Sequence, residues 1–467
     1  MTLNAALDSR LALPLYRQLY QRFRQALDDG RLRPGDRVPA VRALAAELNV
    51  ARGTVEMAYQ QLIAEGFLLP RGPAGTIVSP QWNRSAVPPP MSPVAPRMLT
   101  THAGGPPLPL QLGLPALDAF PRKVWTRLAA RQLRHQGLEG LVYPDARGHA
   151  GLRTAIATYL GLSRGIACHP AQVFVCAGYR ACLDLVVQTL LTPGDACWFE
   201  EPGYFIARRA LQTAGLELIP VKVDDVGLDV AAALAQAPTA RCALVTPSHQ
   251  SPLGVALSLP RRLALLDWAQ RQQAWIIEDD YDSEYRYQGK PLPALKSLDD
   301  QGRVLYAGTF SKVLFPGLRL AYLVVPPEQI EAFTLSADHL HNHAPQLLQA
   351  TVASFLEEGH FARHLNRMRT LYRQRRQWLA EALLATNTPG VQVELQAGGL
   401  HLLARLIEGD DRPWATAAQA EGLAVQALSR WYLETPERQG LLLGFTNVAS
   451  PAEAAELAWR LARLRNA

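Results

Sequence analysis

With 467 residues, 19% of them charged and 48% apolar, the chain has the balance of a folded globular protein and is too long for one small core. A formal charge of +6 excludes a global basic field, so any nucleic-acid surface must be a local patch. Cys168, Cys176, Cys182, Cys197 and Cys242 form no C-x-x-C pair and share no histidine cluster at zinc spacing, which points to free thiols, no metal and a reducing cytoplasm. The opening MTLNAALDSR lacks an apolar signal core, and no apolar run reaches the roughly 18 residues of a membrane span.

In chain order, PLYRQLYQRFRQALD (14–28) sets Leu15, Leu19, Phe23 and Ala26 on one helical face. GRLRPGDRVP is a turn. VRALAAELNV and ARGTVEMAYQQLIAEG then read as two short helices joined tightly, a helix-turn-helix whose second helix would present Arg52 and Thr54 to a major groove. FLLPRGPAGTIVSP follows as two strands around a glycine-rich tip, a wing. An ordinary three-helix cap would lack that order of elements. This segment, residues 13–79, resembles the winged helix of GntR-type bacterial regulators. The resemblance implies DNA contacts at Arg42, Arg52 and Thr54, with Gly75 in the wing tip.

Residues 80–108 crowd proline, glycine and serine, the composition of an extended linker. From residue 109 to 467, apolar runs such as QVFVCAG, DACWFEEPG, CALVTPS, AWIIEDDYD and RVLYAGTFSK alternate with helical stretches such as RRLALLDWAQRQQ. That alternation predicts an α/β domain with a mainly parallel sheet.

One theme unites the strand ends. Lys312 sits in TFSKVLFPGLR among apolar neighbours that would desolvate its amine. Asp279 ends an apolar strand, with Tyr281 two residues on. Tyr204 follows a Pro-Gly turn, and Gly178 stands at a strand-to-helix junction suited to a phosphate. With Thr309, Ser311 and Arg319, these groups suit pyridoxal phosphate, which needs a lysine amine, a carboxylate for its ring nitrogen, and donors for its phosphate.

EEPGY, TPSHQSPLG, EDDYDSEYRY and TFSKVLFPGLRLAYLV make residues 109–467 similar to fold-type I aminotransferases. Joined to a GntR-like winged helix, they resemble the MocR/GabR family of transcription regulators over nearly the whole chain. The resemblance implies that Lys312 forms the internal aldimine, Asp279 pairs with the pyridine nitrogen, Tyr281 contacts the phenolic oxygen and Tyr204 stacks on the ring. Thr309, Ser311 and Arg319 would face the phosphate, and His249 or Gln250 the ring oxygen. Arg430 would grip an effector carboxylate. It also implies double-stranded operator DNA as a partner, an amino-compound effector and a head-to-tail homodimer.

One departure stands out. Where the family usually has a small hydroxyl residue after the strand, this chain has Gly178-Tyr179-Arg180, so Tyr179 would reshape the pocket while Arg180 adds charge. The alternative function is an aminotransferase carrying an accessory DNA-binding domain. Against it, LLLGFTNV contains no arginine to grip a substrate. A third reading makes the cofactor itself the signal. His401 in GGLHLLARL reads as a core-edge histidine.

Overall fold

The computed structural model describes residues 7, 8, 10–82, 105–289, 292–340 and 344–465, the side chain of residue 139 excepted. Most of the proline-rich linker therefore lies outside the described residues. The chain divides into two compact units, Met1–Gly105 and Pro106–Ala467.

Among the described residues the first unit has three α-helices, α1 (Leu15–Asp28), α2 (Val41–Glu47) and α3 (Arg52–Ala64), then β1 (Leu68–Pro70) and β2 (Thr76–Val78). Leu19, Phe23, Ala26 and Leu27 recur on one face of α1 and pack against Val55, Ala58, Tyr59 and Leu62 of α3. The strands pair antiparallel, Leu68 opposite Val78, and enclose the tip predicted as a wing. Gly75 turns there with φ +92°, and a Cβ would come within 3.0 Å of the Arg37 guanidinium.

In the second unit α4 (Arg122–His135) and α5 (Ala150–Arg164) precede an eight-stranded sheet. Its strands in chain order are β3 (Val173–Cys176), β4 (Ala196–Glu201), β5 (Glu217–Asp224), β6 (Gly227–Leu228), β7 (Cys242–Val245), β8 (Trp275–Asp280), β9 (Val304–Thr309) and β10 (Ala321–Val324). The spatial order β3-β10-β9-β8-β7-β4-β5-β6 is parallel from β9 through β5, while β10 runs antiparallel to both neighbours. Helices α6 (Tyr179–Leu190), α7 (Phe205–Thr213), α8 (Val230–Gln236), α9 (Leu259–Gln272) and α10 (Ile330–Leu340) connect or follow these strands. This is the α/β arrangement expected from the alternating runs. Strand β8 is buried along its whole length, which explains a continuous apolar start instead of an alternating one.

After α11 (Gln346–Glu357) and α12 (His360–Ala385) comes a four-stranded antiparallel sheet: β11 (Val391–Glu394), β12 (His401–Leu406), β13 (Gln426–Ala427) and β14 (Gln439–Gly444). Helices α13 (Asp411–Ala420) and α14 (Pro451–Arg465) accompany it. Sequence reading gave no separate second sheet.

Candidate functional site

The carboxyl ends of β3, β4, β7, β8 and β9 lead into the segments that carry the predicted site residues, the place where open α/β sheets bind ligands. Lys312 follows β9 by three residues. Its amine donates to the Gly113 carbonyl at 2.8 Å, and a Cβ at Gly113 would stand 2.5 Å from it. Burial lowers the Lys312 pKa, opposed by the charges of Asp282 and Asp279.

Adjacent carboxyls at the end of β8 point to opposite faces. Asp280 pairs with Arg164 at 2.7 Å and accepts from the Tyr306 hydroxyl at 2.6 Å. Asp279 is buried with no ion pair among the described residues, and burial raises its pKa to about 8. The buried Tyr179 phenol faces it without a hydrogen bond of ordinary geometry. Tyr179 also lies 6.2 Å, ring to ring, from Tyr204, which itself lies 5.9 Å from Trp431. The residue suspected of reshaping the phosphate turn thus belongs to the Asp279 end of the site.

Gly178 opens α6 with φ +100° and no side-chain cap. A Cβ there would come 3.1 Å from the Arg319 guanidinium, which donates to the Ala177 carbonyl at 3.4 Å. A cation and a helix N-terminus therefore meet at a glycine, a cradle for an anion. Nearby in sequence, Thr309 accepts at its hydroxyl from the Ser311 amide at 3.1 Å. Arg180, expected to add charge at this turn, donates from its Nε to Asp184 one helical turn on, at 2.7 Å, so part of its charge is spent along α6.

The choice between His249 and Gln250 is also narrowed. The Gln250 amide donates to Glu200 and to the Pro202 and Ser251 carbonyls, and its oxygen accepts from the Leu253 amide, so its capacity is spent on the local turns. His249 instead lies 3.0 Å from the Tyr281 hydroxyl and 3.0 Å from Asp282. His401 is half-buried at the start of β12, its Nε2 2.9 Å from the Pro252 carbonyl and its ring 6.0 Å from that of His249, and burial pushes its pKa down to about 4. Arg430 is exposed on the short turn Leu428–Trp431, whose Trp431 packs near Tyr204.

Sequence reasoning missed Gly113, Glu200 and the pairing role of Asp282. Glu200, buried at the end of β4 and raised to about 7 by burial, accepts from the Thr246 amide at 3.0 Å. The repeated carboxylates of DYDSE were the available signal for Asp282. In the first unit Arg42 and Arg52 are exposed, Thr54 is half-buried, and Arg52 pairs with Glu56 at 2.7 Å along α3. Arg37, which packs on Gly75, was not anticipated.

A half-buried lysine amine with depressed pKa, a buried carboxyl without an ion pair and a cationic cradle that a Cβ would crowd form a donor set that fits pyridoxal phosphate. Among the described residues no group of side chains suits a metal ion. No described helix is long and apolar enough to cross a membrane.

Residues 112–438 match the aminotransferase class I and II family, and residues 15–78 the gntR family of bacterial regulatory proteins. The chain is 38% identical over 465 residues to a probable rhizopine catabolism regulatory protein, MocR, of Rhizobium meliloti, covering 95% of this chain and 92% of the relative. It is 35% identical over 456 residues to the pyridoxine biosynthesis regulator PdxR of Corynebacterium glutamicum, covering 96% and 95%. Among solved structures, Pyrococcus horikoshii kynurenine aminotransferase, in complex with PMP, superposes with a TM-score of 0.70 at 27% identity, covering 77% of this chain and 90% of that one. Thermus thermophilus α-aminoadipate aminotransferase, complexed with N-(5'-phosphopyridoxyl)-L-leucine, gives 0.70 at 29% identity, covering 77% and 92%.

Proposed function

Because the chain belongs to the MocR-type transcription regulators, in which a GntR winged helix is joined to a class I and II aminotransferase domain, we propose that its second unit holds pyridoxal phosphate at Lys312 and reports an amino compound to operator DNA. The supporting observation is the Lys312 amine: burial disfavours its charged form, at the carboxyl end of β9, within the electrostatic reach of Asp279. When bound, pyridoxal phosphate supplies an aldehyde that condenses with primary amines. Lys312 would hold it covalently, Asp279 would face the ring nitrogen, and Tyr204, with Tyr179 beside it, would pack against the ring. Tyr281, beside His249, would donate to the phenolic oxygen, while Gly178, Thr309, Ser311 and Arg319 would hold the phosphate. Arg430 is the group for an effector carboxylate, since a planar guanidinium matches one.

In this reading residues 13–79 bind DNA, 80–108 link, and 109–467 sense. The protein works in the cytoplasm as a head-to-tail homodimer, and an effector acts by its differential affinity for two arrangements of the dimer. Arg42, Arg52, Thr54 and Gly75 contact the operator. Each phosphate neutralised adds about −0.9 to the slope of log affinity against log salt; a flat slope would contradict DNA binding.

A second reading, a working aminotransferase, draws on the 32% identity to a 2-aminoadipate transaminase of Thermus thermophilus over 321 residues, covering 68% of this chain and 77% of the relative. One experiment separates the two. The visible spectrum of the pyridoxal-phosphate-loaded protein is titrated with primary amines and amino acids, beside Lys312→Ala. A lysine-dependent band that shifts with one ligand and holds, with no keto acid released, supports the sensor. Repeated turnover once a keto acid is supplied supports the enzyme. A wild type without any band contradicts both.

A further inference from the structure

His249 connects two environments. Its Nδ1 lies 3.0 Å from Asp282 Oδ1 and 3.0 Å from the Tyr281 hydroxyl, and both His249 and Asp282 are buried, at 7% and 2% exposure. A carboxylate only accepts, so the shared hydrogen belongs to Nδ1. The Tyr281 oxygen then meets an N–H on that side, and the phenol's own proton is left for another acceptor.

The other ring nitrogen, Nε2, is buried without a partner. So are Asp282 Oδ2, Ser283 Oγ, Tyr285 Oη, Arg164 Nε and Arg286 Nε, and all of these residues line one small cavity closed by Gly398 and Gly399. A cluster of unpartnered buried donors and acceptors around one cavity is what an ordered water satisfies, and there is room for about one. The second oxygen of Asp282 would repel an anion, so water suits the cavity better.

We propose that Asp282 and His249 are positioning residues. Asp282 fixes the hydrogen on Nδ1, that N–H holds Tyr281 as an acceptor, and water in the adjoining cavity donates to Nε2. Tyr281 is thereby committed to give its own proton to the phenolic oxygen of bound pyridoxal phosphate. This rests on the cofactor reading above. The charged and titratable groups around His249 are Tyr281 and Asp282 after β8, His401 on β12, Lys312 after β9, and Arg164 of α5 with Arg286 across the cavity. With its pKa near 4, His401 brings no charge at neutral pH.

Two readouts test it. In the cofactor-free protein, side-chain nitrogen NMR of the histidines, with His249 assigned by its loss in His249→Gln, should show the hydrogen on Nδ1. Asp282→Asn should relax that preference. In the loaded protein, Asp282→Asn and His249→Gln should raise the pH midpoint of the visible band by at least half the shift caused by Tyr281→Phe, with Asp282→Glu falling between. A wild-type hydrogen on Nε2 overturns the proposal. So does an unmoved midpoint in Asp282→Asn where Tyr281→Phe moves it, because a merely structural role would change thermal stability alone. If Tyr281→Phe itself moves nothing, the cofactor contact at Tyr281 fails, and the NMR arm still decides the dyad. Should Asp282→Asn not fold, the wild-type spectrum decides it.

Discussion

Asp280 is compensated by Arg164 and Tyr306, whereas Asp279 beside it is buried without a paired cation among the described residues and faces only the Tyr179 phenol. The consequence is a pH dependence of the cofactor-free protein. Burial raises Asp279 from 3.8 to about 8, and Glu200, Glu278 and Glu284 from 4.5 to about 7. Each folded carboxyl holds its proton more tightly than the unfolded chain does, so the contribution of these four groups to stability falls as pH rises from about 4 to 8. Burial lowers the pKa values of His149, His364 and His401, whose contributions rise with pH up to the ordinary histidine range. Urea midpoints of the cofactor-free protein should therefore decline most clearly from about pH 6.5 to 8, and Asp279→Asn should flatten that part by a few kcal/mol at most. A protonated ring nitrogen held by Asp279 would offset the same cost, so loading should also flatten the curve. At Gly178, alanine meets both a backbone at φ +100° and the Arg319 guanidinium at 3.1 Å. Strain of about 1–3 kcal/mol at such a position predicts a roughly 5- to 150-fold loss of pyridoxal phosphate affinity where it is relieved only in the unloaded protein. Spectral titration measures it, with circular dichroism expected to stay native.

Helix α3 shows how one side chain can matter differently to folding and to recognition. Arg52 and Glu56 form an exposed pair one turn apart, worth no more than about 0.5 kcal/mol to stability. Arg52→Ala should leave the melting temperature nearly unchanged, yet lose about 1–3 kcal/mol of operator discrimination if Arg52 reads a base. Binding titrations on operator and random duplexes decide this; equal losses on both would assign Arg52 to phosphates. The elements that could be read in advance are those whose residues announce their burial. Strand β8 begins Trp-Ile-Ile, β9 begins Val-Leu-Tyr, and α1 repeats apolar residues at helical spacing. The sheet from β11 to β14 was hidden, because short runs such as VQVE and HLLARL fit helix or strand until their partners are known. The same limit applies within the site. Lys312, Asp279 and Arg319 could be named from chemistry, since residue type and local setting suffice. Gly113 could not, for it reaches Lys312 across 199 residues. Asp282 was in plain view, but its histidine lies 33 residues away.

At the scale of the molecule, the two units have separate cores. The first is built around Leu19, Phe23, Val55 and Leu62, and no residue beyond Trp82 joins it among those described. Among the described residues, the large cores of the second, around the eight-stranded sheet, draw on residues from Leu110 onward. A ligand that binds only the native state stabilises the unit it touches, by about 2.7 kcal/mol at a hundredfold excess over its Kd. Calorimetry should therefore resolve two responses. Pyridoxal phosphate should raise the transition of the larger unit in the wild type and far less in Lys312→Ala. An operator duplex should raise the transition of the smaller unit in both. If sensing is coupled to DNA binding, the effector must alter the duplex-dependent shift in the wild type, and by reciprocity the duplex must alter effector affinity by the same factor. Independent shifts with both ligands present would leave a DNA-binding unit and a cofactor-binding unit on one chain without communication, and the regulatory reading would fail even with both sites intact.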